Sequence, residues 1–361
     1  MLKLRTLENW MEFQNILVRA TNWIGDAVMS LPALHALRER FPTARISIIA
    51  RPWVASLYSR EPFCDELIPY EAPKGWKGLG EKWRAASELR RRKFDCGILL
   101  QNAFESAALA RLARIPVRIG YARDARGWLL THPIPVPSIG EIPPHQRFYY
   151  LELLKRAKLT TGYSSEASVT LTGASAAADE GRKRFSESGF AGSVIGVSPG
   201  AAYGGAKRWL PDRFADAAVH LAKERNASVA IFGSKEETDI CERVSHRIDA
   251  AGVACLNFAG ATTLGQFIEL AAACEVFLSN DSGPMHIASA LGVPTVAIFG
   301  PTDERATGPI GVHTRVIREP VECSPCLLRE CPIDHRCMTR VSADEIAQNA
   351  LNLLDSVQVK E

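Results

Sequence analysis

Ser279-Asn280-Asp281-Ser282-Gly283-Pro284-Met285-His286-Ile287-Ala288 follows the short apolar run Val276-Phe277-Leu278 and leads into the helix-like run His286 to Leu291. That order is strand, polar turn, helix. Asp281 and Ser282 are residue types that cap helices, Gly283 lets a ligand approach the backbone, and Pro284 suits a first helical turn. The free amides and the helix dipole at such a start favour an anion. The stretch therefore predicts an α/β architecture with a phosphate-bearing ligand at a strand-to-helix turn in the C-terminal half.

Working outward, the same alternation recurs along the chain. Val194 to Ser198, Ser228 to Phe232 and Thr295 to Phe299 read as buried strands. Pro211 to Arg225, Glu236 to Ile248 and Leu264 to Ala273 have helical spacing. In the first half, Ile16 to Ala20, Arg45 to Ala50 and Cys96 to Leu100 read as strands, and Ala27 to Arg40, Pro52 to Tyr58 and Phe104 to Ala113 as helices. Thr131 to Pro144, with five prolines, reads as a loop, and Gln146 to Lys158 as a helix. Such alternation predicts parallel sheets covered by helices on both faces. At 361 residues the chain is long enough for two such domains. Two doubly wound halves predict a cleft between them, with ligands at the carboxyl ends of strands.

Several turns carry candidate chemistry. Ser198-Pro199-Gly200-Ala201-Ala202-Tyr203-Gly204-Gly205-Ala206-Lys207-Arg208-Trp209 follows a strand and precedes a helix. Its glycines permit close backbone approach, and Lys207 is a compact charge suited to a diphosphate. The loop is neither a Walker A sequence nor the dinucleotide GxGxxG; its bland reading is a flexible loop with a solvated Lys-Arg pair. His286 either reaches toward the phosphate or merely starts a helix. Gly233-Ser234 and the turn holding Thr262 end two further strands and are suited to lining a nucleoside pocket, although every βα connection needs such residues. In Asn22-Trp23-Ile24-Gly25-Asp26, the Asp26 carboxylate either caps the helix or takes a proton from a sugar hydroxyl as general base.

Composition narrows the class. Hydrophobic residues make up 47% and charged ones 23%, and the net charge of +3 is too small to argue for nucleic acid. No apolar run approaches a membrane span and no secretory leader is read, which predicts a cytoplasmic protein. Lys74, Lys77, Lys82, Arg84 and Arg90 to Lys93 interleave with Trp76 and Trp83, and Arg118, Arg123 and Arg126 follow. This basic stretch is either a solvated face or a contact for an anionic acceptor or membrane surface. Of nine cysteines, Cys323, Cys326, Cys331 and Cys337 crowd into fifteen residues. In a reducing compartment that spacing suits four thiolates around a structural zinc; free thiols in a surface loop, or disulfides formed after lysis, are the alternatives.

Together, in order and spacing, these motifs resemble the ADP-heptose:lipopolysaccharide heptosyltransferases, glycosyltransferase family 9. The matching pieces are Ile16 to Asp26, Ser198 to Leu210, Val229 to Ser234, Ser279 to His286 and Val296 to Thr302. The resemblance is strongest to the branch that adds the second heptose. It implies a GT-B fold, two Rossmann-like doubly wound domains facing a central cleft: residues 1–170 for the acceptor, 171–342 for the donor, and a closing helix, 343–356, packed back on the first domain. It implies an enzyme peripheral to the inner membrane, moving heptose with inversion from ADP-L-glycero-β-D-manno-heptose to the first heptose of the lipopolysaccharide inner core, on heptosyl-Kdo2-lipid A. By the same resemblance Asp26 matches the base, Lys207 the lysine near the donor diphosphate, and Asp281, Ser282, Gly283 and His286 the donor-binding turn. Tyr203, Thr262, Gly233 and Ser234 are the further donor-side candidates. No cofactor or catalytic metal is required, and the donor turn does not include the cysteine segment. The alternatives are the branches acting on other core acceptors and a GT-B sugar-nucleotide epimerase. An oxidoreductase lacks its GxGxxG, and a non-catalytic metal-binding scaffold predicts no nucleotide affinity.

Overall fold

Strands buried on both faces organise the chain into two separate parallel sheets, in a computed structural model that describes residues 13–71 and 78–358. The first holds β1 (Asn15–Arg19), β2 (Arg45–Ala50), β3 (Glu66–Pro69), β4 (Cys96–Leu99), β5 (Val117–Tyr121) and β6 (His132–Ile134) in the order β3-β2-β1-β4-β5-β6. The second holds β7 (Val194–Ser198), β8 (Ser228–Ile231), β9 (Cys255–Asn257), β10 (Val276–Asn280), β11 (Thr295–Phe299) and β12 (Thr314–Arg318) in the order β12-β11-β10-β7-β8-β9. All neighbouring strands pair in parallel. Each sheet thus has the same doubly wound order, with its direction of winding reversing beside its first strand. That reversal opens a crevice at the strand carboxyl ends, between β1 and β4 in one unit and between β7 and β10 in the other.

The chain divides into two units between Ala167 and Ser168. In the second, β10 is wholly buried, with Leu278 in register with Val197 of β7 on one side and Val296 of β11 on the other. Continuous apolar runs of this kind are what a central parallel strand requires. Its core joins Val197, Trp209, Phe214, Leu221, Val229 and Leu278 to the closing helix Ala343–Gln358 through Ile346, Ala347, Ala350, Leu353 and Leu354. The first unit has its own cluster around Leu17, Ile49, Leu89, Leu99 and Ile115.

Three expectations are corrected here. The closing helix, expected to pack back on the first domain, spends its apolar face on the second unit, against the helix Pro211–Arg225. The helix expected over Ala27 to Arg40 is two, Ile24–Met29 and Leu31–Arg40. Pro32 has no N–H for the preceding turn, so the ladder stops and restarts at Ser30, whose Oγ donates to the Ala27 carbonyl at 2.8 Å. The proline-rich stretch after Thr131 contains β6, where Pro133 is tolerated because the strand lies at the sheet edge. Among the described residues no helix is long and apolar enough to cross a membrane.

Candidate active site

In the second unit the turns after β7 and β10 meet at one charged centre. Lys207 Nζ lies 2.5 Å from Asp281 Oδ2, and the Thr302 hydroxyl donates to the same oxygen at 2.6 Å. Both charged side chains are withdrawn from water, at 12% and 4% exposure. The ammonium also stands 4.9 Å from the centre of the Tyr203 ring. A buried lysine held in this way is a fixed positive charge rather than a mobile one.

A buried asparagine joins the two turns. Asn280 ends β10; its Oδ1 accepts from the Trp209 amide at 2.9 Å, and its Nδ2 donates to the Pro199 carbonyl at 2.8 Å. Trp209 is fully buried and donates its indole N–H to the Val341 carbonyl at 3.2 Å. The glycine loop is therefore stitched at both ends to the strand that carries Asp281. Sequence reasoning missed Asn280 and Thr302 because neither is an unusual residue for its position; only the fold brings them beside Lys207.

The helix Gly283–Ala290 begins with Ser282 in extended conformation at its N-cap and Pro284 in its first turn. The capping role expected of Asp281 and Ser282 is corrected: Ser282 makes no side-chain cap, its hydroxyl lying 3.2 Å from that of Ser279, and Asp281 is engaged by Lys207 and Thr302. Helix-start amides left uncapped by a side chain remain available to an anionic ligand. Gly283 is the first helical residue, and His286 is buried one turn on, 6% exposed.

Gly233, Ser234 and Thr262 lie along the same strand ends, after β8 and β9. The Gly260 amide donates to the Gly233 carbonyl at 3.0 Å, which ties these two turns together. Ser234 is occupied by a capping box with Glu237, and the helix Leu264–Ala272 is capped by Thr263, leaving Thr262 half-buried in the turn.

Among the described residues no group of three or more His, Cys, Asp or Glu side chains is placed to hold a metal ion, and Cys323, Cys326, Cys331 and Cys337 are free thiols. Cys323 and Cys326 are exposed, while burial pushes the Cys337 thiol up to about 11, with the other three cysteines adding to the shift. The segment lies on the glycine loop. Tyr203 donates its hydroxyl to the Leu327 carbonyl at 2.7 Å, the Ala206 amide donates to the Arg329 carbonyl at 2.9 Å, and the Gly205 amide donates to Glu330 Oε1 at 2.9 Å. His335 Nε2 is 2.7 Å from the Ala206 carbonyl oxygen. A side chain at Gly204 would meet the Arg329 carbonyl at 2.3 Å. The segment thus meets the glycine loop through Leu327, Arg329, Glu330 and His335.

In the first unit Asp26 lies in the first turn of Ile24–Met29, directly after β1. The N-cap position of that helix is Trp23. The Tyr150 hydroxyl, buried in the helix Gln146–Arg156, donates to Asp26 Oδ1 at 3.1 Å. Burial, and then the Asp26 charge, holds the Tyr150 phenol well above its ordinary value, so it stays protonated and a donor. At the end of the neighbouring β4, the fully buried Arg126 donates to Asn102 Oδ1 at 3.0 Å and Ser106 Oγ at 2.9 Å, and also to the Gln101 carbonyl. Burial pulls its guanidinium down to about 10. Arg126 is therefore a structural pin for the β4 turn and not part of a basic surface, as expected from sequence. The rest of that stretch is also broken up: Arg92 pairs with Glu66 and Glu88, Lys82 with Glu105, while Arg84, Arg90, Arg91 and Trp83 face solvent. Lys74, Trp76 and Lys77 lie outside the described residues.

Residues 82–336 match Glycosyltransferase family 9 (heptosyltransferase). Lipopolysaccharide heptosyltransferase 2 of Salmonella typhimurium is 33% identical over 308 residues, covering 84% of this chain and 87% of that protein. Lipooligosaccharide heptosyltransferase 2 of Haemophilus influenzae is 30% identical over 308 residues, covering 84% and 88%. Among solved structures, that of E. coli ADP-heptose LPS heptosyltransferase II superposes with a TM-score of 0.78 at 28% identity, covering 96% of this chain and all of that one. The chain belongs to glycosyltransferase family 9, the heptosyltransferases, and has their GT-B fold.

Proposed function

We propose that this family 9 glycosyltransferase moves L-glycero-D-manno-heptose, with inversion, from ADP-heptose to the first heptose of a lipopolysaccharide inner core. The observation that carries the reading is the Lys207–Asp281–Thr302 centre, set beside an uncapped helix start at the crevice of a doubly wound sheet. That is the chemistry of a site for a nucleoside diphosphate. The names of the relatives at 30–33% identity favour the second-heptose acceptor.

In the proposed step, Asp26 takes the proton of the acceptor hydroxyl while that oxygen bonds to C1 of the donor heptose. The bond from C1 to the β-phosphate oxygen breaks, and ADP departs with its electron pair. Lys207 and the amides of the Ser282-Gly283 turn offset the charge that develops on ADP. Asp26 is suited to base work because its carboxylate follows β1 at the switch point and is oriented by Tyr150. The assignment of Asp26 rests on this geometry and on the motif Asn22 to Asp26, since the family match begins only at residue 82. No metal enters the scheme. The lipid anchor of such an acceptor would bring the enzyme to the inner-membrane surface from the cytoplasmic side.

The test is ADP release from ADP-heptose with heptosyl-Kdo2-lipid A, with heptose-free Kdo2-lipid A, and with no acceptor. Release only with the first, together with a gain of one heptose in product mass, is expected. Release only with the second would move the enzyme to the first-heptose step. Silence with both acceptors would sink the heptosyl reading.

A further inference from the structure

The contacts of the cysteine-bearing segment leave one charged side chain without a role. Arg329 is exposed, and its guanidinium stands 5.2 Å from the centre of the Tyr203 ring, the same ring that Lys207 approaches at 4.9 Å. No ion pair is recorded for it among the described residues. Its neighbours in the segment are fixed: the Arg329 carbonyl accepts from Ala206, Leu327 from Tyr203, and Glu330 from Gly205. The absence of room for a side chain at Gly204 holds the Arg329 backbone against the loop. The arginine is thus delivered to the donor turn by a rigid attachment.

The local charge balance gives this position meaning. Lys207 is compensated by Asp281, and Glu330 adds a further negative charge on the Gly205 amide. Counting these three alone, the turn carries a net negative charge, which disfavours a diphosphate. Arg208, whose guanidinium donates to the neutral Ala201 carbonyl at 3.3–3.4 Å, brings the count only to neutrality. Arg329 supplies the surplus positive charge, and its planar fork suits two phosphate oxygens at once. Tyr203 then acts as a shared platform that keeps the two cations on one ring.

We propose that Arg329 is a second diphosphate-binding cation of the donor site, contributed by the cysteine-bearing segment and acting beside Lys207. This rests on the donor reading above. It gives the segment a function that needs no metal: it carries a phosphate ligand to the glycine loop.

The experiment is calorimetric titration of the full-length protein with ADP and, separately, with adenosine, for the wild type, Arg329→Gln and Arg329→Lys. Arg329→Gln is expected to weaken ADP about tenfold, the size of one charge-assisted contact, and to leave adenosine unchanged. Arg329→Lys should recover part of the loss, and the wild-type preference for ADP over adenosine should shrink with added salt more steeply than that of the Gln variant. Equal ADP affinity in wild type and Arg329→Gln would overturn the inference alone. Parallel loss of ADP and adenosine would also overturn it, by assigning Arg329 to loop structure. A wild type that binds no ADP would overturn the donor reading and this inference with it.

Discussion

Asp26 has a carboxylate that can only accept, and one of its donors is the buried Tyr150. Tyr150 is 3% exposed and takes a hydrogen bond from Gln146 Nε2 at 3.4 Å, which directs its own proton to Asp26 Oδ1. Tyr150→Phe removes the donor and keeps the ring. A hydrogen bond to a charged group contributes roughly 1.5–3 kcal/mol, so kcat should fall by about tenfold or more while the KM for ADP-heptose holds. Steady-state kinetics check this, and an unchanged kcat would reduce Tyr150 to a space-filler. Asp26 and Asp281 stand out in the sequence because each follows an apolar strand within a few residues, and Lys207 because it ends a glycine-rich loop. Tyr150 does not, because it lies 124 residues from Asp26 and its helix reads as ordinary packing. Asn280 and Thr302 were hidden for the same reason: their importance is a property of two turns brought together.

Strands at the centre of each sheet announce themselves by unbroken apolar runs, and those at the edges do not. β3 is Glu66-Leu67-Ile68-Pro69, four residues with a charge at one end and a proline at the other, and nothing in that pattern signals a strand. Its place is set by side chains from elsewhere. Glu66 accepts from Arg92, from Arg45 at 3.1 Å and from Ser47 at 3.2 Å; next to it, Asp65 Oδ2 accepts from the Ile46 amide at 2.7 Å. The Arg92 guanidinium holds the Glu66 carboxyl below its ordinary value, outweighing the opposing effect of burial, and Arg45 adds to it. A carboxylate depressed by folding stabilises the native state at pH values above its unfolded value, near ~4.3, and that contribution is lost as pH falls through the lower, folded value. Glu66→Gln should therefore be less stable than wild type at pH 7, and the gap should close on acidification below about pH 4. Thermal melts across that range would show it. A constant gap would mean that Glu66 acts through packing and not through charge.

At the scale of the whole chain, two sheets with the same strand order carry different chemistry at the same topological position. The first offers a carboxylate after β1, and the second a lysine–aspartate pair between the turns of β7 and β10. This duplication was legible because it rests on buried strands, whose pattern survives without knowledge of the packing. The home of the closing helix was not: an amphipathic helix states only that it needs a partner, and the partner is the helix Pro211–Arg225. Divided labour has a consequence for ligand linkage. A ligand that binds only the native state raises stability by RT ln(1 + [L]/Kd), about 2.7 kcal/mol at one hundred times Kd. If ADP is held by the second unit and Asp26 serves only the acceptor, Asp26→Asn should abolish transfer yet show the wild-type rise in melting temperature with ADP. Lys207→Gln should lose most of that rise. The comparison must be of the ADP-induced shift, because Lys207→Gln also strands the buried Asp281 charge and lowers the ligand-free melting temperature by itself, breaking a pair of a kind worth about 3–5 kcal/mol. An Asp26→Asn protein blind to ADP, or a Lys207→Gln protein that responds in full, would contradict the assignment of donor and base to separate halves.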